Sequence, residues 1–172
     1  MPRSTRLVSI AGAFALLLLA QACAEKPADT AAADTTATMA APAASATPPE
    51  LTARSAAMLA SWNEENGAAA SAFFADSAIA VIDDSTYTGM AAIRDGWILP
   101  GLPMVSDVSV SEQAFTGSGT SMTETGKFSE TLTLPGEAPR PNTGTYSAEW
   151  TNLNSTWMVS RFTVKSDMPA QN

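Results

Sequence analysis

The stretch "AIAVIDDSTYTGM", residues 78–90, sets two carboxylates side by side, Asp83 and Asp84, at the end of an apolar run. Two carboxyls that share a cavity force their pKa values apart and can divide the work of acid and base. Consecutive residues of an extended chain project to opposite faces, so at most one of this pair can enter a cavity. The competing reading is a turn, "DDST", whose Asp side chains bond nearby backbone N–H groups. Other chemistry is excluded by count. The chain has no histidine and one cysteine, which removes a Ser-His-Asp triad, a His-activated thiol and a His- or Cys-rich zinc site. Carboxylates, Lys and Tyr remain as acid/base groups. No cofactor and no metal is expected.

The elements that must position these residues come from one domain, because 172 residues with 45% hydrophobic content fill one ordinary core. The formal charge is −8, and loss of Arg3 and Arg6 with a leader segment takes it to about −10. Such a surface excludes nucleic acid as a partner and excludes electrostatic adhesion to anionic lipid.

That leader is "MPRSTRLVSIAGAFALLLLAQAC": a short basic region, a mostly apolar run from Leu7 to Ala20, then small residues around Cys23. The layout is that of an export signal over residues 1–22, and its apolar run of fourteen residues is shorter than the ~20 needed to span a hydrocarbon core. "AQAC" resembles the lipobox of bacterial lipoproteins, which implies lipidation of Cys23 and a periplasm-facing anchor in the cell envelope. Residues 23–49 are rich in Ala, Thr and Pro and contain no aromatic. They read as a disordered tether, since so little apolar surface cannot offset the entropy of ordering.

"TPPE", Thr47 to Glu50, has the features of a helix start with Thr47 as cap and Glu50 three residues on. Leu51, Ser55, Met58, Leu59 and Trp62 then recur at helical spacing until Asn66-Gly67. A short second helix is expected over 68–74 and a third over 90–97, ended by "LPGLP". Ile79–Ile82 and Tyr87–Thr88 read as short strands, with Asp76 a cap or loop residue before them. Four long strands are expected near 104–115, 120–134, 143–152 and 156–165. The class is α+β, with two to three N-terminal helices across one face of an antiparallel sheet.

"SWNEENGAAASAFFADSAIAVIDD", "GMAAIRDGW", "ETGKFSETL" and "GTYSAEWTNLNSTWMVSRFTVKSD" resemble, in order and spacing, the SnoaL-like, ketosteroid-isomerase-like branch of the nuclear-transport-factor-2-like superfamily. The resemblance covers residues 50–167 and leaves 168–172 as a tail. It implies a cone, a curved sheet wrapped around helices with a pocket at its open end, and a homodimer through the outer sheet face. It places a general base at Ile82 or Asp83, and it puts Met58, which has no proton to donate, where an oxyanion-donating Tyr would stand. The last strand has apolar residues in both phases, Trp157 and Val159 against Met158, Phe162 and Val164, as a sheet covered on both faces would.

The functional expectation is an envelope-anchored domain that binds a small apolar ligand without strong catalysis. Trp62, Phe74, Trp97, Phe128, Tyr146 and Trp150 are the expected pocket lining, with Tyr146 as the polar handle. One alternative is an isomerase- or cyclase-type enzyme with Asp83 as base. Another is a dimeric envelope scaffold whose core is filled by its aromatics.

Overall fold

The structure is a computed structural model that describes residues 46–168. The export signal, Cys23, the tether and residues 169–172 lie outside the described residues. Among the described residues, no helix is long and apolar enough to cross a membrane.

Helix α1 (Pro49–Asn63) is not capped by Thr47. Its N-cap is Pro48, with no side-chain cap hydrogen bond. The Pro48 carbonyl accepts the N–H of Leu51 at 3.0 Å and of Thr52 at 3.2 Å, and Pro49 fills the first helical position, where its missing N–H costs nothing. The helix buries Leu51, Ser55 and Met58. Helix α2 (Gly67–Ser71) is capped by Asn66, whose side chain accepts the Ala69 N–H at 3.0 Å.

The second helix therefore stops short of the aromatic pair, and Phe74 opens strand β1 (Phe74–Ile82) opposite Val159. Asp76 is an exposed strand residue, not a loop residue. After β2 (Ser85–Thr88) comes α3 (Met90–Ile93), which continues into a π-helical turn (Arg94–Ile98), a short α-helical turn (Leu99–Gly101) and a 3-10 turn (Leu102–Met104). "LPGLP" does not end this segment, because both prolines fall in the first positions of new turns, where no N–H is needed.

Strands β3 (Val105–Ser118), β4 (Ser121–Leu132), β5 (Arg140–Leu153) and β6 (Thr156–Ser166) complete a six-stranded sheet in the order β2-β1-β6-β5-β4-β3. The sheet is mixed, not antiparallel as expected, because β1 runs parallel to β6. It is open, curves around the helices and gives an α+β cone.

Its curvature has identifiable sources. Strand β3 breaks register twice, around Asp107 and Glu112, which take positive φ of 55° and 51°. Strand β6 carries a bulge at Ser160, between the Glu149–Arg161 and Trp150–Val159 pairs. The extra residue reverses the alternation, so Trp157, Val159 and Phe162 are all buried on the inner face. The two apolar phases of the last strand thus arise from a bulge within one chain.

Candidate functional site

Strands β4 and β5 form the wall that organises the interior. Inward positions pair Glu124 with Ala148, Gly126 with Tyr146, Phe128 with Gly144, and Glu130 with Asn142. Tyr146 and Phe128 each face a glycine. A Cβ at Gly126 would stand 2.7 Å from the Tyr146 ring, and one at Gly144 would stand 2.6 Å from the Phe128 ring. These glycines let Tyr146 and Phe128 lie flat along the wall.

Between this wall and α1 lies a cavity of about 420 Å³, within the range of small-molecule sites. A core filled by aromatics, one of the alternatives, is not what the chain builds. Trp62, Trp97, Phe128 and Tyr146 line the cavity. Phe74 and Trp150 do not. Phe74 sits edge-on behind Trp97 at 6.2 Å and Phe162 at 6.0 Å, while Trp150 is fully buried with its indole N–H turned to Glu124. Phe162 joins the lining instead, stacked on Trp97 at 5.5 Å. The bulge at Ser160 brings it there, and alternation alone could not have placed it.

Two polar centres interrupt this apolar lining, six residues apart on β4, or roughly 20 Å at strand rise. The first is Glu124, 1% exposed. Its Oε1 accepts the Ser55 hydroxyl at 2.8 Å, the Gln113 Nε2–H at 2.7 Å and the Tyr146 hydroxyl at 2.7 Å. Its Oε2 accepts the Trp150 Nε1–H at 2.8 Å. Four neutral donors satisfy this buried carboxylate. The Tyr146 phenol is pushed well above its ordinary range, first by burial and then by the bond to Glu124. Its proton stays on oxygen and is committed to Glu124.

The second centre is Glu130 with Asn142, directly opposite on β5. The Asn142 amide donates to Glu130 Oε1 at 2.8 Å. Burial raises the Glu130 pKa, and the Asn142 bond opposes the rise only partly. Asn142 is 6% exposed, and its Oδ1 is buried without a hydrogen-bond partner.

Asp83 borders the cavity from the β1–β2 turn, at φ +50°. Its Oδ1 accepts the Ser166 N–H at 2.8 Å and its Oδ2 the Ser166 hydroxyl at 3.1 Å. Its partner is thus on β6, 83 residues away, and not the local backbone of the turn. Asp84 does not line the cavity. Met58 does, and its thioether has no proton to donate. Arg94 and Asp95 form an exposed ion pair at 2.7 Å outside the cavity. Among the described residues, no group of three or more acidic or Cys side chains could hold a metal ion.

No family model and no curated protein sequence matches the chain. Solved structures do. A nuclear transport factor 2-like superfamily protein from Salmonella enterica serovar Typhimurium superposes with a TM-score of 0.61 at 15% identity, over 71% of this chain and 90% of its own. A candidate scytalone dehydratase from Novosphingobium aromaticivorans gives 0.60 at 12% identity, over 69% and 83%. A nuclear transport factor 2-like protein of unknown function from Pseudomonas putida gives 0.58 at 11% identity, over 67% and 83%. Likeness at these identities is likeness of fold: the chain has the nuclear-transport-factor-2-like cone, as the sequence resemblance implied.

Proposed function

We propose that the domain is a binding module for a small, largely apolar molecule, without strong catalysis of its own. The open cavity of about 420 Å³, walled by Trp62, Trp97, Phe128 and Phe162, carries this reading. The fold does not choose between binding and catalysis, since the similar structures include a candidate dehydratase and a protein of unknown function. The side chains favour binding. Asp83 has both carboxylate oxygens engaged by Ser166, Tyr146 gives its proton to Glu124, and Met58 offers none. A base without an oxyanion donor lacks the larger electrostatic part of an isomerase mechanism.

The test is fluorescence titration of the purified protein with the neutral apolar probe N-phenyl-1-naphthylamine. Saturable enhancement, lost when Met58→Trp narrows the cavity, supports the reading. No saturable enhancement in the unmodified protein removes it.

Envelope anchoring rests on the lipobox-like "AQAC" at Cys23 and the tether behind it. Radiolabelled palmitate entering the protein, and failing to enter Cys23→Ser, is the expected result. Equal labelling of the two removes the anchor. Pairing of two copies through the outer sheet face is a separate proposal from the resemblance. That face presents Thr125, Thr145 and Thr163 with the exposed Lys127–Glu112 ion pair, and a monomer by light scattering overturns it.

A further inference from the structure

Two acceptor oxygens at the Glu130 end of the cavity have capacity to spare. The Asn142 amide spends an N–H on Glu130 Oε1 at 2.8 Å, and its Oδ1, buried on a residue 6% exposed, receives nothing. Glu130 keeps Oε2 outside that bond. The two residues are direct partners across β4 and β5, and both line the cavity. A buried oxygen without a donor is costly unless something supplies one.

The charge of the lining points the same way. Asp83, Glu124 and Glu130 line the cavity, and among the described residues no Lys or Arg does. Arg140, next inward on β5, is not in the lining and has its guanidinium 3.7 Å from Glu137. Ser55, Gln113 and Tyr146, which also line the cavity, direct donors to Glu124. An anionic ligand would therefore meet three carboxylates with no lining Lys or Arg as counter-charge.

We propose that the ligand is an amine: an apolar body seated among Trp62, Trp97 and Phe162, with an ammonium or other N–H cation donating to Asn142 Oδ1 and Glu130. This rests on the binding reading above and names its chemical class. A charge-assisted bond to Glu130 forms only with a cationic donor, and an N–H on the same group relieves the orphaned Oδ1. Selectivity of this kind comes from the buried polar pair, because the aromatic walls accept any apolar body of the right size.

The experiment displaces N-phenyl-1-naphthylamine at pH 7.5 with three competitors that share one apolar body: 4-phenylbutylamine, butylbenzene and 4-phenylbutyrate. The amine should displace the probe at least about tenfold more tightly than butylbenzene, as expected of a charge-assisted hydrogen bond, and the carboxylate more weakly than either. In Glu130→Gln the amine advantage should shrink to about threefold or less while butylbenzene is unchanged. Asn142→Leu should reduce it as well. Equal affinity for amine and hydrocarbon overturns the proposal and leaves cavity binding standing, as does an amine advantage that survives Glu130→Gln. Tighter binding of the carboxylate overturns it too. Failure of the probe and of all three competitors to bind overturns both readings together.

Discussion

The Tyr146 hydroxyl stands 2.7 Å from Oε1 of Glu124 and directs its one proton at a carboxylate that already receives Ser55, Gln113 and Trp150. Elements from α1, β3, β4 and β5 thus meet on a single side chain, and every group that reaches it is a donor. Replacing Glu124 by Gln puts an NH₂ where an acceptor is required, so at least one buried donor faces another donor. Glu124→Gln should cost about 2–4 kcal/mol in urea unfolding. A cost below about 1 kcal/mol would show that the hub contributes little to the fold.

The same bond governs the alkaline limit. The folded phenol of Tyr146 is raised above the unfolded value of about 10. Between the two values the unfolded chain has lost a proton that the folded chain keeps, so stability falls as pH rises past about 10 and is unaffected below it. The alkaline fall in stability should be shallower in Tyr146→Phe. Identical slopes for the two proteins, followed by thermal melts from pH 8 to 11, would assign the fall to other groups.

Asp83 illustrates a turn residue with a structural duty. It sits at φ +50°, a region in which Asp and Asn are the side chains most at ease, and it ties the β1–β2 turn to Ser166 on the last strand. Asp83→Asn keeps the backbone preference and one good acceptor, and should cost about 1 kcal/mol or less. Asp83→Ala loses both bonds and should cost about 1–2 kcal/mol more. Neither should change the affinity for N-phenyl-1-naphthylamine by more than about threefold, because the side chain's oxygens are already occupied. A loss of binding with stability intact would return Asp83 to the site.

Much of this arrangement was legible in the chain, for reasons that differ by element. Helix α1 showed itself through Leu51, Ser55, Met58 and Trp62, because a helix against a sheet must repeat its apolar stripe. Strands β3 to β6 were bounded by turn residues that local sterics require. The parallel pairing of β1 with β6 was not legible, since it is decided by the path of the whole chain. Nor was the inner face of β6: the bulge at Ser160 reverses the period of two, and no residue type announces it. Trp62, Trp97, Phe128 and Tyr146 were found because bulky side chains gather where helices cover a sheet. Glu124, Glu130 and Asn142 were missed because their burial depends on strand phase. One signal was available: Glu124, Gly126, Phe128 and Glu130 share a phase on β4, as do Asn142, Gly144, Tyr146 and Trp150 on β5. Aligning Tyr146 with Gly126 and Phe128 with Gly144 would have set the register.

Glu130 should report its surroundings through the pH dependence of stability. Burial raises its folded pKa above the ordinary carboxylate value, with Asn142 opposing. Between those two values the folded state holds a proton that the unfolded state has released. Stability therefore falls as pH rises through that window, and the full penalty of the buried charge is present above the folded pKa. Glu130→Gln keeps an acceptor for the Asn142 N–H and removes the charge, so it should be the more stable protein at pH 8. Because Glu130 is only partly buried, solvent screens the effect, and a gain of about 1–3 °C in Tm is expected. The gain should vanish near pH 4, where both states of the parent are largely protonated. A variant that is less stable at pH 8, or a difference that does not change between pH 8 and pH 4, would mean that Glu130 is already neutralised by a partner. The acceptor pair that selects an amine would then be absent from the cavity.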